Sequence, residues 1–132
     1  MGTWSTTAPT NTYGSWTQTF TATASGNYHY YWDDYGRYYD AYFKVKVECS
    51  AIRLTNNSIC VKIKFYGKRN DNKTSSGHYL TNYPYIKDEN GSINYGTKVE
   101  GTFTDDFVNI TTQYYTFPNT YKPTSIICGN DG

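Results

Sequence analysis

Apolar residues fall on every second position over two neighbouring stretches. In the first, Ala41, Phe43, Val45, Val47, Cys49 and Ala51 alternate with Tyr42, Lys44, Lys46, Glu48 and Ser50. In the second, Ile59, Val61, Ile63 and Phe65 alternate with Cys60, Lys62, Lys64 and Tyr66. A period of two turns one set to a core and the other to solvent, which is the pattern of a half-buried strand. Both apolar sets are odd-numbered. Directly opposed residues of an antiparallel pair share a face, so odd must pair with odd. The connection therefore has odd length, most simply Thr55-Asn56-Asn57, with Asn57 in the left-handed conformation of a bulge-type hairpin. Glu48 then opposes Lys64 and Ser50 opposes Lys62 outside, while Cys49 opposes Ile63 inside. Cys60 points the other way, so no disulfide joins it to Cys49. Ile52 and Leu54 break the alternation, which predicts a bulge or a strand end covered on both sides.

The same period recurs along the chain. Trp16, Phe20, Ala22 and Ala24 alternate with Thr17, Thr19, Thr21 and Thr23, a strand with a threonine outer face. Tyr28 to Trp32 is a short strand, and Asp33-Asp34-Tyr35-Gly36 turns it into the long strand that ends at Leu54. Residues 67–77 are polar and aperiodic and read as a loop. His78 to Ile86 is a short strand in which Pro84 predicts an edge or an end. Residues 87–91 turn. A strand follows over 97–104, and another over 107–117 with Val108, Ile110, Thr112 and Tyr114 in phase. A last short strand covers 124–128. About eight strands separated by turn signals predict an all-β antiparallel β-sandwich, jelly-roll or immunoglobulin-like. Residues 1–15, with Pro9 and Gly14, predict an extended N-terminal arm ahead of a single domain over 16–132. Trp4 and Tyr13 are its expected anchors, on a neighbour or on its own sheet.

Composition agrees. Against 16 Tyr and 20 Thr there is one Met, so strand formers dominate and aromatics must supply much of the core. The net charge of +1 gives no field to steer nucleic acid or membrane surfaces. No apolar run approaches the ~20 residues that span a bilayer. The start, MGTWSTTAPT, lacks a charged segment, an apolar segment and a cleavage site, so no signal peptide is expected. The Tyr/Thr/Asn/Gly-rich body nonetheless suits work outside a cell. Two routes reconcile these: an excised extracellular domain with an added Met1-Gly2, or a virion protein released by lysis.

Few residues suggest reaction chemistry. Asp33, Asp34, Asp40, Asp88, Glu89, Asp105 and Asp106 cluster in turns, where carboxylates bond their own backbone. Neither Asp33-Asp34 nor Asn70-Asp71-Asn72 has the spacing of a calcium loop. His29 and His78 have no nucleophile beside them. Cys49, Cys60 and Cys128 lack zinc spacing and read as free thiols; one disulfide with a spare thiol would require an oxidising place. Four glycosylation acceptor patterns start at Asn56, Asn72, Asn90 and Asn109. The expectation is a protein without enzymatic activity, metal or cofactor.

The aromatics stand out. Tyr28, Tyr30, Tyr31, Trp32, Tyr35, Tyr38 and Tyr39 flank one hairpin, and alternation turns about half of such a run away from the core. Exposed Tyr and Trp pack well on a protein subunit and also stack on sugar rings. Lys44, Lys46, Lys62 and Lys64 interleave with aromatics as in single-strand nucleic-acid binders. The near-zero net charge and Glu48 among them argue against that partner.

Tyr13-Gly14-Ser15-Trp16, the threonine strand over 17–24 and the Tyr-rich turn at 33–36 resemble the small all-β structural proteins of bacteriophage tails and heads. The resemblance implies a non-enzymatic, repeated virion component whose arm over 1–15 reaches a neighbouring subunit. The alternative is a carbohydrate-binding or receptor-binding module, with a cell-surface glycan on the aromatic hairpin.

Overall fold

The computed structural model describes residues 2–17, 21–22, 27–32, 38–69, 80–101, 104, 106, 108–121, 123 and 126–131. These form eleven strands and no α-helix. In chain order they are β1 (Thr3–Ser5), β2 (Thr12–Thr17), β3 (Thr21–Ala22), β4 (Asn27–Trp32), β5 (Tyr38–Leu54), β6 (Ile59–Arg69), β7 (Leu80–Asp88), β8 (Ile93–Tyr95), β9 (Val99–Gly101), β10 (Val108–Thr116) and β11 (Ile126–Asp131). One sheet runs β1-β10-β6-β5-β2, with β4 also on β5. The other runs β3-β11-β7-β8, with β9 also on β7. Among these strands all pairings are antiparallel except β3 with β11. The apolar faces of the two sheets meet in one core, so the fold is an all-β sandwich.

Strands β5 and β6 pair odd residue with odd residue. Cys49 opposes Ile63, Glu48 opposes Lys64 and Ser50 opposes Lys62. Val45, Val47, Cys49, Ala51, Val61, Ile63 and Phe65 are all buried. Asn57 has φ 75°. The N–H of Leu54 donates to the Ser58 carbonyl at 2.8 Å and that of Asn57 to the Leu54 carbonyl at 2.9 Å, closing a three-residue loop. The strand end at Ile52 and Leu54 is covered on both sides. These two residues and Cys60 form a second buried cluster on the outer face, with Tyr114 packed against it. Residues 6–11 lead from one edge of the sheet to the other at this end. There the Asn11 carbonyl accepts from the Thr55 N–H at 2.8 Å.

Several expectations are corrected. The expected arm over residues 1–15 holds β1, which pairs with β10, and the start of β2, which pairs with β5, so both belong to the sandwich itself. Strand β6 does not stop at Tyr66, because β5 extends far enough to pair Gly67, Lys68 and Arg69 with Val45, Lys44 and Phe43. Val108, Ile110, Thr112 and Tyr114 are not the buried set of β10. A bulge between Asn109 and Thr111 shifts its phase, and Gln113, Tyr115 and Phe117 are buried instead. Pro84 marks no edge, since β7 lies between β11 on one side and β8 and β9 on the other. A residue's N–H and C=O point toward the same neighbouring strand in an antiparallel ladder. The Pro84 carbonyl accepts from Gly96 at 2.7 Å, between β8 and β9. The missing N–H therefore faces the gap where one partner strand ends and the next begins.

Candidate functional site

Alternation along the second sheet builds an aromatic outer face. In β7, Asn82, Pro84 and Ile86 are buried, leaving Tyr83, Tyr85 and Lys87 outward. In β11, Ile126, Cys128 and Asn130 are buried and Ile127 is outward. Ile93 and Tyr95 of β8 complete the face. Register sets Ile127, Lys87 and Ile93 in one row across the sheet, and Gly129, Tyr85 and Tyr95 in the next.

The tyrosines meet ring to ring. Tyr95 lies 6.1 Å from Tyr83 and 5.8 Å from Tyr85, with ring planes 77° and 73° apart. These are edge-to-face contacts, the favoured arrangement of aromatic quadrupoles. Tyr85 lies over Gly129, where a Cβ would strike its ring carbons, one of them at 2.9 Å. Glycine there lets the ring lie down on the sheet. The surroundings remain open to solvent: Tyr83 is 37% exposed, Ile127 38%, Ile93 45% and Tyr95 46%.

Sequence reasoning misses this face because Pro84, read locally, ends the strand. A signal for it is present all the same. Tyr83 and Tyr85 share parity with Ile93 and Tyr95 across an odd-length connection, the rule that locates the β5–β6 hairpin. The structure closes that connection as the three-residue loop 89–91 in place of the expected turn over 87–91.

The hairpin expected from the sequence is β4 on β5. Trp32 opposes Tyr38, Tyr31 opposes Tyr39 and Tyr28 opposes Lys44, with Tyr30 at a register shift between His29 and Tyr31. The backbone thus brings these residues together; their side chains, and Tyr35 altogether, lie outside the described residues. Both expected arm contacts fall on the chain's own sheet. The Trp4 ring lies 5.0 Å from that of Tyr115, and the Arg53 guanidinium lies 4.9 Å over the ring of Tyr13.

Trp4, Ser5, Thr6, Thr97 and Gln113 line a cleft of about 330 Å³ at the β1 edge. Gln113 ties the two sheets together there. Its Oε1 accepts from the Thr97 N–H at 2.8 Å, and its Nε2 donates to the Thr97 carbonyl at 3.0 Å. Gly96 passes so close that a Cβ would collide with the Gln113 amide and approach Trp4 to 3.2 Å. Among the described residues no ionisable side chain lines this cleft, so they give it no acid or base.

Two carboxylates at the β7–β8 turn bond within the fold. Asp88 Oδ1 accepts from the N–H groups of Asn90 at 2.9 Å and Ser92 at 3.1 Å, an Asx turn around Gly91. Glu89 accepts from the Tyr121 hydroxyl at 2.8 Å, which pushes that phenol up to about 12. On the first sheet's outer face Lys46 lies 5.3 Å over the ring of Tyr66. Burial, then a bond to Glu48, raises the Tyr66 phenol. Burial, then Lys64, lowers the Lys62 ammonium. Among the described residues no group of three His, Cys, Asp or Glu is placed to hold a metal. Asp33, Asp34, Asp105 and His78 lie outside the described residues. Comparison with protein-family models, with curated proteins and with solved structures finds no match.

Proposed function

We propose that this protein is a non-enzymatic structural β-sandwich that works by binding other protein subunits. The carrying observation is the exposed face of Tyr83, Tyr85 and Tyr95, flanked by Ile93 and Ile127. Tyrosine supplies large contact area for little lost side-chain entropy, and the flanking isoleucines add surface that only a dry interface rewards. A sugar platform favours ring faces lying in one plane beside hydrogen-bonding groups. Here the rings meet near right angles, with two isoleucines and Lys87 in the next row, and that crossed packing favours protein over glycan. The narrower reading, a repeated head or tail component of a bacteriophage particle, rests on the sequence resemblance. In that setting the Tyr28–Tyr39 hairpin supplies a further contact. Light scattering on a size-exclusion column tests the proposal. Concentration-dependent assembly, or co-assembly with particle components, supports it; a monomer at high concentration that joins no particle component overturns it.

The cleft favours a second reading, a carbohydrate-binding module. Trp4 offers a ring beside the hydroxyls of Ser5, Thr6 and Thr97 and the Gln113 amide, chemistry that suits an uncharged sugar. A glycan array with Trp4→Ala and Trp32→Ala proteins decides it; silence across the array removes it.

A further inference from the structure

Strand β5 belongs to one sheet and β11 to the other. Stacked sheets usually stand about 10 Å apart, yet Cα atoms of these two strands approach within 8 Å. Cys49 sits on the core face of β5 opposite Ile63, and Cys128 on that of β11 opposite Ile86. Both are buried in the same cluster and both are in the thiol form. Their side-chain sulfurs lie within hydrogen-bonding reach of each other across the core. A hydrogen bond between them holds the Cys49 thiol below its ordinary range against the opposing effect of burial. The same bond, then burial, keeps Cys128 protonated. Cys60 sits in the separate cluster on the outer face of the first sheet.

We propose that Cys49 and Cys128 form a built site for an intersheet disulfide, made when the chain folds in the presence of a low-molecular-weight disulfide such as oxidised glutathione. The Cys49 thiolate attacks one glutathione sulfur. A bond forms between the two, the glutathione S–S bond breaks, and one glutathione thiolate leaves. The Cys128 thiolate then attacks the Cys49 sulfur and expels the second glutathione. Two protein sulfurs are oxidised and two glutathione sulfurs reduced, and the two cysteine protons end on the departing thiols. The bond forms before the core closes, because the finished fold buries both sulfurs away from a bulky reagent. It spans most of the chain, and long closed loops gain most from a cross-link.

The test is refolding from denaturant with reduced and oxidised glutathione, followed by alkylation, tryptic cleavage and mass mapping. Cleavage after Lys46, Arg53, Lys62 and Lys98 places each cysteine on its own peptide. The expected product is one linked pair, residues 47–53 with residues 99–132, and an alkylated Cys60. The oxidised protein should melt about 10 °C above the reduced one. Cys60→Ala should keep both the link and the shift; Cys49→Ala should lose both. Three alkylated cysteines after oxidative refolding, or a link through Cys60, overturns the proposal. Because Cys49→Ala opens a gap in the core, mapping of the unmutated chain and of Cys60→Ala decides the matter if that variant does not fold.

Discussion

Asn57 holds φ 75° at the end of the β5–β6 loop, where a branched side chain clashes with its own backbone and asparagine is tolerated. Asn57→Val should therefore cost about 1–2 kcal/mol of stability, read as a lower urea midpoint at unchanged slope, whereas Asn57→Gly should be close to neutral. Asn56 supports the same loop, its Oδ1 accepting from the Ser58 N–H at 3.0 Å. Tyr121 gives the pH dependence. Its phenol donates to Glu89 and titrates at about 12 in the fold, against about 10 in an unfolded chain. A raised folded pKa stabilises below the unfolded value and is lost as pH rises through the folded one. Stability should thus fall between about pH 10 and about pH 12. Glu89→Gln should bring one phenol back toward its ordinary range, seen in the difference between the ultraviolet titrations of variant and parent.

At the scale of elements, the β5–β6 hairpin supplies the centre of the core. Phe65 is fully buried and Ile63 is 1% exposed, so Phe65→Ala should cost about 3–5 kcal/mol. The outer face depends on charge order. Glu48 opposes Lys64 between Lys46 and Lys62, and Glu48→Lys would put a fourth cation into that strip. We expect a loss of about 1 kcal/mol, partly recovered by added salt. This hairpin is legible in the sequence, because period, parity and turn chemistry agree over Ala41–Phe65. The facing of β10 is not, because one extra residue at its bulge reverses which set faces inward. The central place of β7 is not either, because Pro84 predicts an edge or an end on local rules and sits inside a sheet only where the neighbouring strands leave a gap.

At the scale of the whole molecule, the tyrosine face gives the last prediction. A Tyr83→Ser, Tyr95→Ser protein should weaken subunit association at least tenfold by sedimentation, the size of effect expected from central aromatic contacts. Its melting temperature should move only a few degrees, because both side chains are largely outside the core. The face needs a local hairpin and a distant strand: β7 and β8 supply the rings, and β11 supplies Gly129 beneath them and Ile127 beside them.

The sequence by itself determined the all-β class, the β5–β6 register, the left-handed Asn57 and the separation of Cys49 from Cys60. Each follows from side-chain alternation or from backbone sterics within a short stretch, and such forces act whatever the rest of the chain does. Only the tertiary structure decided that residues 3–5 and 12–17 join the first sheet, that Pro84 lies in a central strand, and that Gly129 and Ile127 of β11 join the tyrosine face. It also decided that Cys49 and Cys128 come within hydrogen-bonding reach across the core. Those are choices of strand partner and of sheet stacking. They depend on which edges are open once the chain has collapsed, and no local pattern encodes that.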